Sequence, residues 1–322
     1  MTARTILTAL LVLTTAFAGL AQGLRFRPDG TFKIAQFTDT HYIHGDARSD
    51  TAIKNIRHVM EAEQPDPVLL TGDIIYGKPA EQSYRDVLDA IAAYGVPFGV
   101  VFGNHDDEQG LDRAALLRLT QSYPLNVTRT EPGIHGFSNY ALPIAGHAGP
   151  DTAAVIYCFD SNAYSQINGI KGYDYVRSDQ VEWYRRTSRA LTPLPAYAFF
   201  HIPLPEYSDA VADEDAPFVG TRKERPCVPA LNSGLFTAMK ECGDVRATFV
   251  GHDHSNDYAV LWHGILLAYG RFSGGNTVYN DLPNGARLIE LHEDGQQFDT
   301  WVRLADGQVL NRVTCPDSFL RK

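Results

Sequence analysis

The chain has 322 residues, 44% of them apolar and 20% charged, with a formal net charge of −10. This is ordinary globular material, enough for one two-layer domain or two small ones, and no part of it reads as disordered. The acidic balance argues against a nucleic-acid surface or an anionic membrane as the main partner, since both are bound through excess Lys and Arg.

Residues 1–21 read as a secretory signal, with Arg4 as the positive region, an apolar stretch from 6 to 18, and small residues in Ala16-Phe17-Ala18 and Gly19-Leu20-Ala21. The alternative is a single membrane anchor, for which the uncharged stretch 5–24 is nearly long enough but rich in Thr, Gly and Ala. Residues 22–322 are expected to form a single domain with no further membrane span. Export would allow disulfides among the four cysteines. Cys227 and Cys242, flanking an apparent helix over 232–240, are the favoured pair; Cys158 reads as a small buried apolar residue, and Cys315 lies near the C-terminus. Asn126-Val127-Thr128 has the form of a glycosylation acceptor.

The next elements alternate. Apolar runs at 33–37, 68–71 and 98–102 predict strands, and helical periodicity follows each, at 50–63, 80–94 and 111–122. That order predicts parallel strands with crossover helices. Runs at 139–144 and 153–159 have no intervening helix and predict antiparallel pairing. A helix over 178–191 leads into a strand at 196–200, and another strand is expected at 246–250. From residue 258 only strand-like runs occur, at 258–262, 265–269, 286–291 and 298–304, which predict a second sheet. The expected fold is α/β with mixed strand directions: two β-sheets packed as a sandwich with helices outside. Segments 208–229 and 270–285 lack periodicity and are candidate substrate loops.

Five polar motifs close these apolar runs: Asp39-Thr40-His41, Gly72-Asp73, Gly103-Asn104-His105-Asp106, His201, and Gly251-His252-Asp253-His254. Singly each is weak. Together, in this order and at strand ends, they supply enough oxygen and imidazole donors for two adjacent metal ions. The set resembles the calcineurin-like metallophosphoesterase superfamily, whose pattern is D-x-H, G-D, G-N-H-[DE], H and G-H-x-H. Gly72-Asp73-Ile74-Ile75-Tyr76 is similar to the G-D-x-x-Y block of purple acid phosphatases. The run from His201 to Tyr207, with Asn232-Ser233-Gly234, is similar to the branch holding the short plant purple acid phosphatases and their bacterial and fungal relatives.

The resemblance implies a four-layer αββα domain and a secreted phosphatase acting on small phosphomonoesters by attack of a metal-bridged hydroxide. A phosphodiesterase of the same fold and an exported binding protein with a vestigial site are the alternatives. It further implies that Asp39, His41 and His254 hold a first metal, that Asp73 bridges, and that Asn104, His201 and His252 hold a second. Imidazole nitrogen and carboxylate oxygen suit Fe, Zn or Mn. By the same resemblance His105 stabilises or protonates the leaving alkoxide, oriented by Asp106, or else it caps its loop. Asp107 and Glu108 read as solvated acids, and Asp253 as pointing away from the metals. Arg271 is the candidate contact to a phosphate oxygen, against a salt bridge as the alternative. Tyr207 and Tyr258 could line the mouth or simply pack. Tyr76 is either a tyrosinate ligand to iron or a neighbour of the site.

Overall fold

The computed structural model describes residues 23–191 and 194–320; the leader expected over 1–21 lies outside the described residues. The first strands are β1 (Thr31–Phe37), β2 (Val68–Thr71) and β3 (Phe98–Val101), separated by helices α1 (Asp50–Glu63) and α2 (Ala80–Ala92) and followed by α3 (Arg113–Gln121). The middle holds β4 (Tyr140–Ala145), β5 (Thr152–Cys158), α4 (Ser178–Leu191), β6 (Ala196–Phe199), α5 (Glu206–Ala212), β7 (Phe218–Val219), α6 (Leu235–Cys242) and β8 (Val245–Val250). The end is all strand: β9 (Ala259–Trp262), β10 (Ile265–Tyr269), β11 (Gly285–His292), β12 (Phe298–Leu304) and β13 (Val309–Cys315).

Two mixed sheets result. One has six strands in the order β13-β12-β11-β1-β2-β3, the other seven in the order β4-β5-β6-β8-β10-β9-β7. The period-two alternation of strand side chains sorts apolar residues onto two faces. Ile34, Leu69 and Val101 of the first sheet meet Ile156, Phe199, Phe249 and Leu266 of the second in a shared core. Ala35, Phe37, Leu70 and Val100 point the other way, onto Ile56 and Val59 of α1, Val87 and Leu88 of α2 and Leu116 of α3. The outer face of the second sheet is covered by Trp183 and Tyr184 of α4 and by Leu235 and Met239 of α6. The layers are therefore α-β-β-α, as expected.

The C-terminal strands depart from the sequence reading. They do not form a sheet of their own: β9 and β10 extend the second sheet, with β10 parallel to β8, while β11, β12 and β13 join the first through an antiparallel β1–β11 pair. Periodicity marks a strand but not its partner. The candidate loop 208–229 also contains the end of α5 and the short β7.

The expected Cys227–Cys242 disulfide is not made; all four cysteines are free. The Cys227 N–H donates to Asp253, just beyond the C-terminal end of β8, whereas Cys242 ends α6, just before the start of that strand. Six strand residues span roughly 16–20 Å, far beyond the ~7 Å Cα limit for a bridge. Asn126 is buried, its side-chain oxygen accepting from Thr128 N at 2.8 Å, so the glycosylation triplet serves as a local turn. Among the described residues no helix is long and apolar enough to cross a membrane.

Candidate metal centre

Strands β1, β2 and β3 run parallel in one sheet, and β5, β6, β8 and β10 in the other. Their C-terminal ends meet at one rim, the usual place for a site in such sheets. Asp39 follows β1, Asp73 follows β2, Asn104 follows β3, His201 follows β6, and His252 and His254 follow β8. Thr71 and Val250 are drawn together beneath them by the buried Gln36 amide, which donates to Thr71 Oγ1 at 2.9 Å and to the Val250 carbonyl at 3.1 Å.

The local backbone is not extended. Asp39, His41, Asp73 and His252 all have positive φ, at 55°, 42°, 51° and 79°. The Asp39–His41 convergence thus comes from left-handed turns rather than strand alternation. Asp39 N donates to the Gly72 carbonyl at 3.0 Å and His41 N to the Asp73 carbonyl at 2.9 Å, so the exits of β1 and β2 hold each other in this form. Four non-glycine residues in a region costing roughly 1–3 kcal/mol each persist only when their surroundings over-determine them, a pattern that marks functional sites. The motif glycines have a packing reason. A Cβ on Gly103 would lie 2.2 Å from Asp73 Oδ1, and one on Gly251 would lie 1.9 Å from Thr38 Oγ1 and 2.7 Å from Asp39 Oδ2. The ligand carboxylates need that space.

The result is two buried clusters, Asp39–His41–His254 and Asp73–His201–His252, each with donor atoms within 4.8 Å of one another. In the first, His41 Nε2 and His254 Nε2 are 3.0 Å apart, and Asp39 Oδ1 lies 3.5 Å from His254 Nε2. In the second, Asp73 Oδ2 is 3.1 Å from His201 Nε2, and His252 Nδ1 is 3.3 Å from the same nitrogen. Asp73 Oδ2 also lies 3.8 Å from His41 Nε2, so it faces both clusters, as a bridging carboxylate must. His201 Nδ1 pairs with the Thr71 carbonyl at 2.8 Å and His254 Nδ1 with the Tyr279 carbonyl at 2.9 Å. Each outer N–H being spent, Nε2 is the nitrogen left free to bind a metal. Asn104 Nδ2 donates to the Tyr164 hydroxyl at 3.3 Å, while its Oδ1 is buried with no hydrogen-bond partner. A buried acceptor left without a hydrogen-bond partner fits a cation.

Electrostatics agree. Burial lowers His41 to about 3 despite Asp73, and burial with the charge on His201 lowers His252 to about 3. Burial opposes protonation of His201 as well, but Asp73 raises it to about 10. Against the cost of burial, His254 and His201 bring Asp39 down to about 2, and His201 and His41 hold Asp73 well below the carboxylate range. Both carboxylates are anions that borrow protonated imidazoles where metal charge would serve.

Other expected residues lie differently. Asp106 does not orient His105: its oxygens accept from the backbone N–H groups of Asp73 (3.1 Å), Gly103 (2.7 Å) and Ile74 (2.6 Å), clasping two ligand loops together. Burial and the charge on Asp73 raise it to about 6. The half-buried His105 ring instead meets Glu108, with Nδ1 2.6 Å from Oε2. Glu108 sits three residues on in a 3-10 turn (Asp106–Gln109), so helical spacing was the signal that could have found it. Arg271 takes the salt-bridge alternative: it is 2% exposed and ion-paired to Asp257, and its Nε donates to the Pro283 carbonyl at 2.6 Å. Tyr207 and Tyr258 are buried in the core of the second sheet rather than at the mouth. Asp253 turns away from the metals, accepting from Tyr269 Oη at 2.5 Å. Arg113, unmarked by any motif, braces the Gly103 carbonyl at 2.5 Å and pairs with Asp160 at 2.7 Å.

The family model described as calcineurin-like phosphoesterase matches residues 32–256. An Arabidopsis thaliana protein named probable inactive purple acid phosphatase 14 is 30% identical over 292 residues, which cover 78% of this chain and 72% of the relative. Phosphatase DCR2 of Saccharomyces cerevisiae is 30% identical over 323 residues, covering 88% of this chain but 55% of its own length. Among solved structures, a dimetal phosphatase from Danio rerio superposes with a TM-score of 0.63 over 88% of this chain and 98% of that one, at 13% identity, a likeness of fold.

Proposed function

Because this chain belongs to the calcineurin-like phosphoesterase family, we propose that it is an exported dinuclear-metal phosphatase that hydrolyses small phosphomonoesters. The observation that carries the reading is the completeness of the donor set. Two buried triads share one space, and Asn104 adds an unpartnered carbonyl oxygen. The name of the Arabidopsis relative raises the rival of a vestigial site. Against it stand His201 and His254, both held through their outer nitrogens with Nε2 turned inward; a protein relieved of catalysis has no physical need for that.

Asp39, His41, Asp73 and His254 would hold one ion, and Asp73, Asn104, His201 and His252 the other, with Fe, Zn or Mn matching the donors. Such a pair supplies Lewis acidity, acidifying water and neutralising phosphoryl charge. The protein's own residues do the rest. Asp73 offers one oxygen to both clusters while its other oxygen accepts from His105 N at 2.8 Å, which fixes the loop bearing the acid. Glu108 holds His105 at Nδ1, leaving Nε2 to give a proton to the departing alkoxide. The leader expected at the N-terminus supports export.

Elemental analysis and a visible spectrum of the purified protein, with rates on nitrophenyl phosphate and bis(nitrophenyl) phosphate, test the proposal. About two metals per chain and faster release from the monoester are expected. Faster release from the diester moves the reading to a phosphodiesterase, and a metal-loaded protein inert towards both sinks it.

A further inference from the structure

Tyrosines ring the mouth of the centre. Tyr76 sets its ring edge-on to His41 and His105, with centroids 5.1 and 5.2 Å away. Tyr279 stacks on His254 at 4.6 Å and an interplanar angle of 26°. Tyr173 meets His252 edge-on at 4.2 Å and stacks at 5.8 Å on Tyr164, whose hydroxyl lies between the Asn104 amide and Glu108. Three of the four are large exposed aromatics on a protein that buries most of its others: Tyr76 is 37% exposed, Tyr164 40% and Tyr279 59%. Their hydroxyls are tethered at two points, Tyr164 to Glu108 and Tyr279 to Glu224 at 3.0 Å, and Glu224 is itself fixed by Ser255 N at 2.6 Å. Burial would otherwise claim such rings. Held at the edge of a metal centre, with Tyr76, Tyr164 and Tyr279 each more than a third exposed, they form a wall suited to a flat apolar group.

We infer that this tyrosine collar selects phosphate monoesters whose leaving group carries a planar ring, an aryl group or a nucleobase. The inference rests on the phosphatase reading and deepens it. Phosphate, common to every substrate, is bound at the floor by the metal donors; discrimination among esters must come from what stands at the mouth, where Tyr76, Tyr164 and Tyr279 are exposed. Stacking tolerates any π-face, so a class of rings rather than one compound is selected.

The test is binding to the full chain loaded with manganese, measured by calorimetry with non-hydrolysable ligands so that turnover is not required. Benzylphosphonate is compared with ethylphosphonate, with cyclohexylmethylphosphonate as the puckered control. A parallel competition sets the non-hydrolysable methylene-phosphonate analogue of 5′-AMP against that of ribose 5-phosphate, which share the phosphonate-bearing carbon. We expect the flat ligand to bind about tenfold tighter or more in at least one pair. That ratio should fall severalfold in Tyr164→Ala and in Tyr279→Ala, each variant's own affinity for the ringless ligand serving as its reference. Preference in the benzyl pair alone assigns aryl esters; preference in the nucleotide pair assigns nucleotides. Ratios near one in both pairs, a benzyl preference matched by the cyclohexyl compound, or a preference untouched by both substitutions overturns the inference. Failure of every ligand to bind the loaded chain overturns the phosphatase reading beneath it.

Discussion

Asp73, just after β2, and Asp257, in the loop just before β9, are both buried carboxylates, yet their surroundings differ in kind. Asp257 is paired with Arg271 and accepts from Thr221 N at 2.6 Å and Asn311 Nδ2 at 3.3 Å; Arg287 closes the group by donating to the Asp257 and Tyr269 carbonyls at 2.6 and 2.5 Å. Charge there is balanced inside the protein. Asp73 has no guanidinium or ammonium among its partners, only imidazoles and one backbone N–H, and beside it an asparagine oxygen goes unpaired. A buried anion costs several kcal/mol unless compensated, so the first group reads as structure and the second as a place prepared for cations.

The sharpest way to break that contrast is Asp73→Asn. A neutral amide cannot balance two cations, and uncatalysed phosphomonoester hydrolysis is so slow that nearly all activity depends on the assembled pair. The variant should lose at least one metal by elemental analysis and nearly all turnover. Full metal content with near-normal rates would end the bridging assignment.

His105→Ala separates chemistry from metal holding. Turnover should fall roughly 10²–10⁴-fold with both metals retained, and the loss should be smaller for nitrophenyl phosphate, whose leaving group needs less protonation, than for an alkyl phosphate. Equal losses would mean that His105 positions phosphate instead.

Acid should empty the second kind of site while sparing the first. His201 is raised to about 10 because Asp73 outweighs burial, and His254 is also raised, against burial, by Asp39, so both bind protons more readily than a free imidazole when no metal is present. Loading must displace them, so apparent affinity falls as pH falls, by up to about tenfold per unit for each displaced proton. Metal titrations at pH 8 and pH 6 check this; equal affinities would show that the imidazoles are already neutral.

Arg271→Ala probes the balanced pair. Stranding Asp257 without its cation should cost roughly 3–5 kcal/mol in urea unfolding, with turnover per bound metal unchanged. A specific rise in KM at unchanged stability would restore Arg271 to the substrate.

The two groups were not equally legible in the sequence. The candidate donors were, because each stands directly after an apolar run and five such motifs keep their order along the chain. Arg271 misled because its partner, Asp257, is a loop residue whose pairing depends on the β8–β10 register, which no local pattern encodes. Asp106 misled for a related reason: it neighbours His105 in sequence, but the turn aims it at the backbone of Gly103 and Ile74. The assignment of β11, β12 and β13 to the first sheet, and the tyrosines at 164, 173 and 279, lie equally beyond periodicity. Strand β13 went unread because the half-buried Asn311 and the exposed Arg312 break the apolar alternation.

The smallest expected effect belongs to Tyr76. Its ring lies edge-on to both His41 and His105 and its side chain is more than a third exposed, whereas the members of both metal clusters are buried. The first cluster already brings Asp39, His41 and His254, with Asp73 shared, so a fifth protein ligand would crowd an ion that must also hold water and substrate. Tyr76→Phe keeps the ring and removes only the hydroxyl. It should leave metal content, turnover and ring preference within about twofold, while His41→Ala, which removes a buried imidazole facing two carboxylates, should cost metal and activity together. The iron-loaded protein should then be colourless or faint. A strong visible band abolished by Tyr76→Phe would make the phenolate a ligand, and would move the boundary between the metal floor and the aromatic collar by one residue.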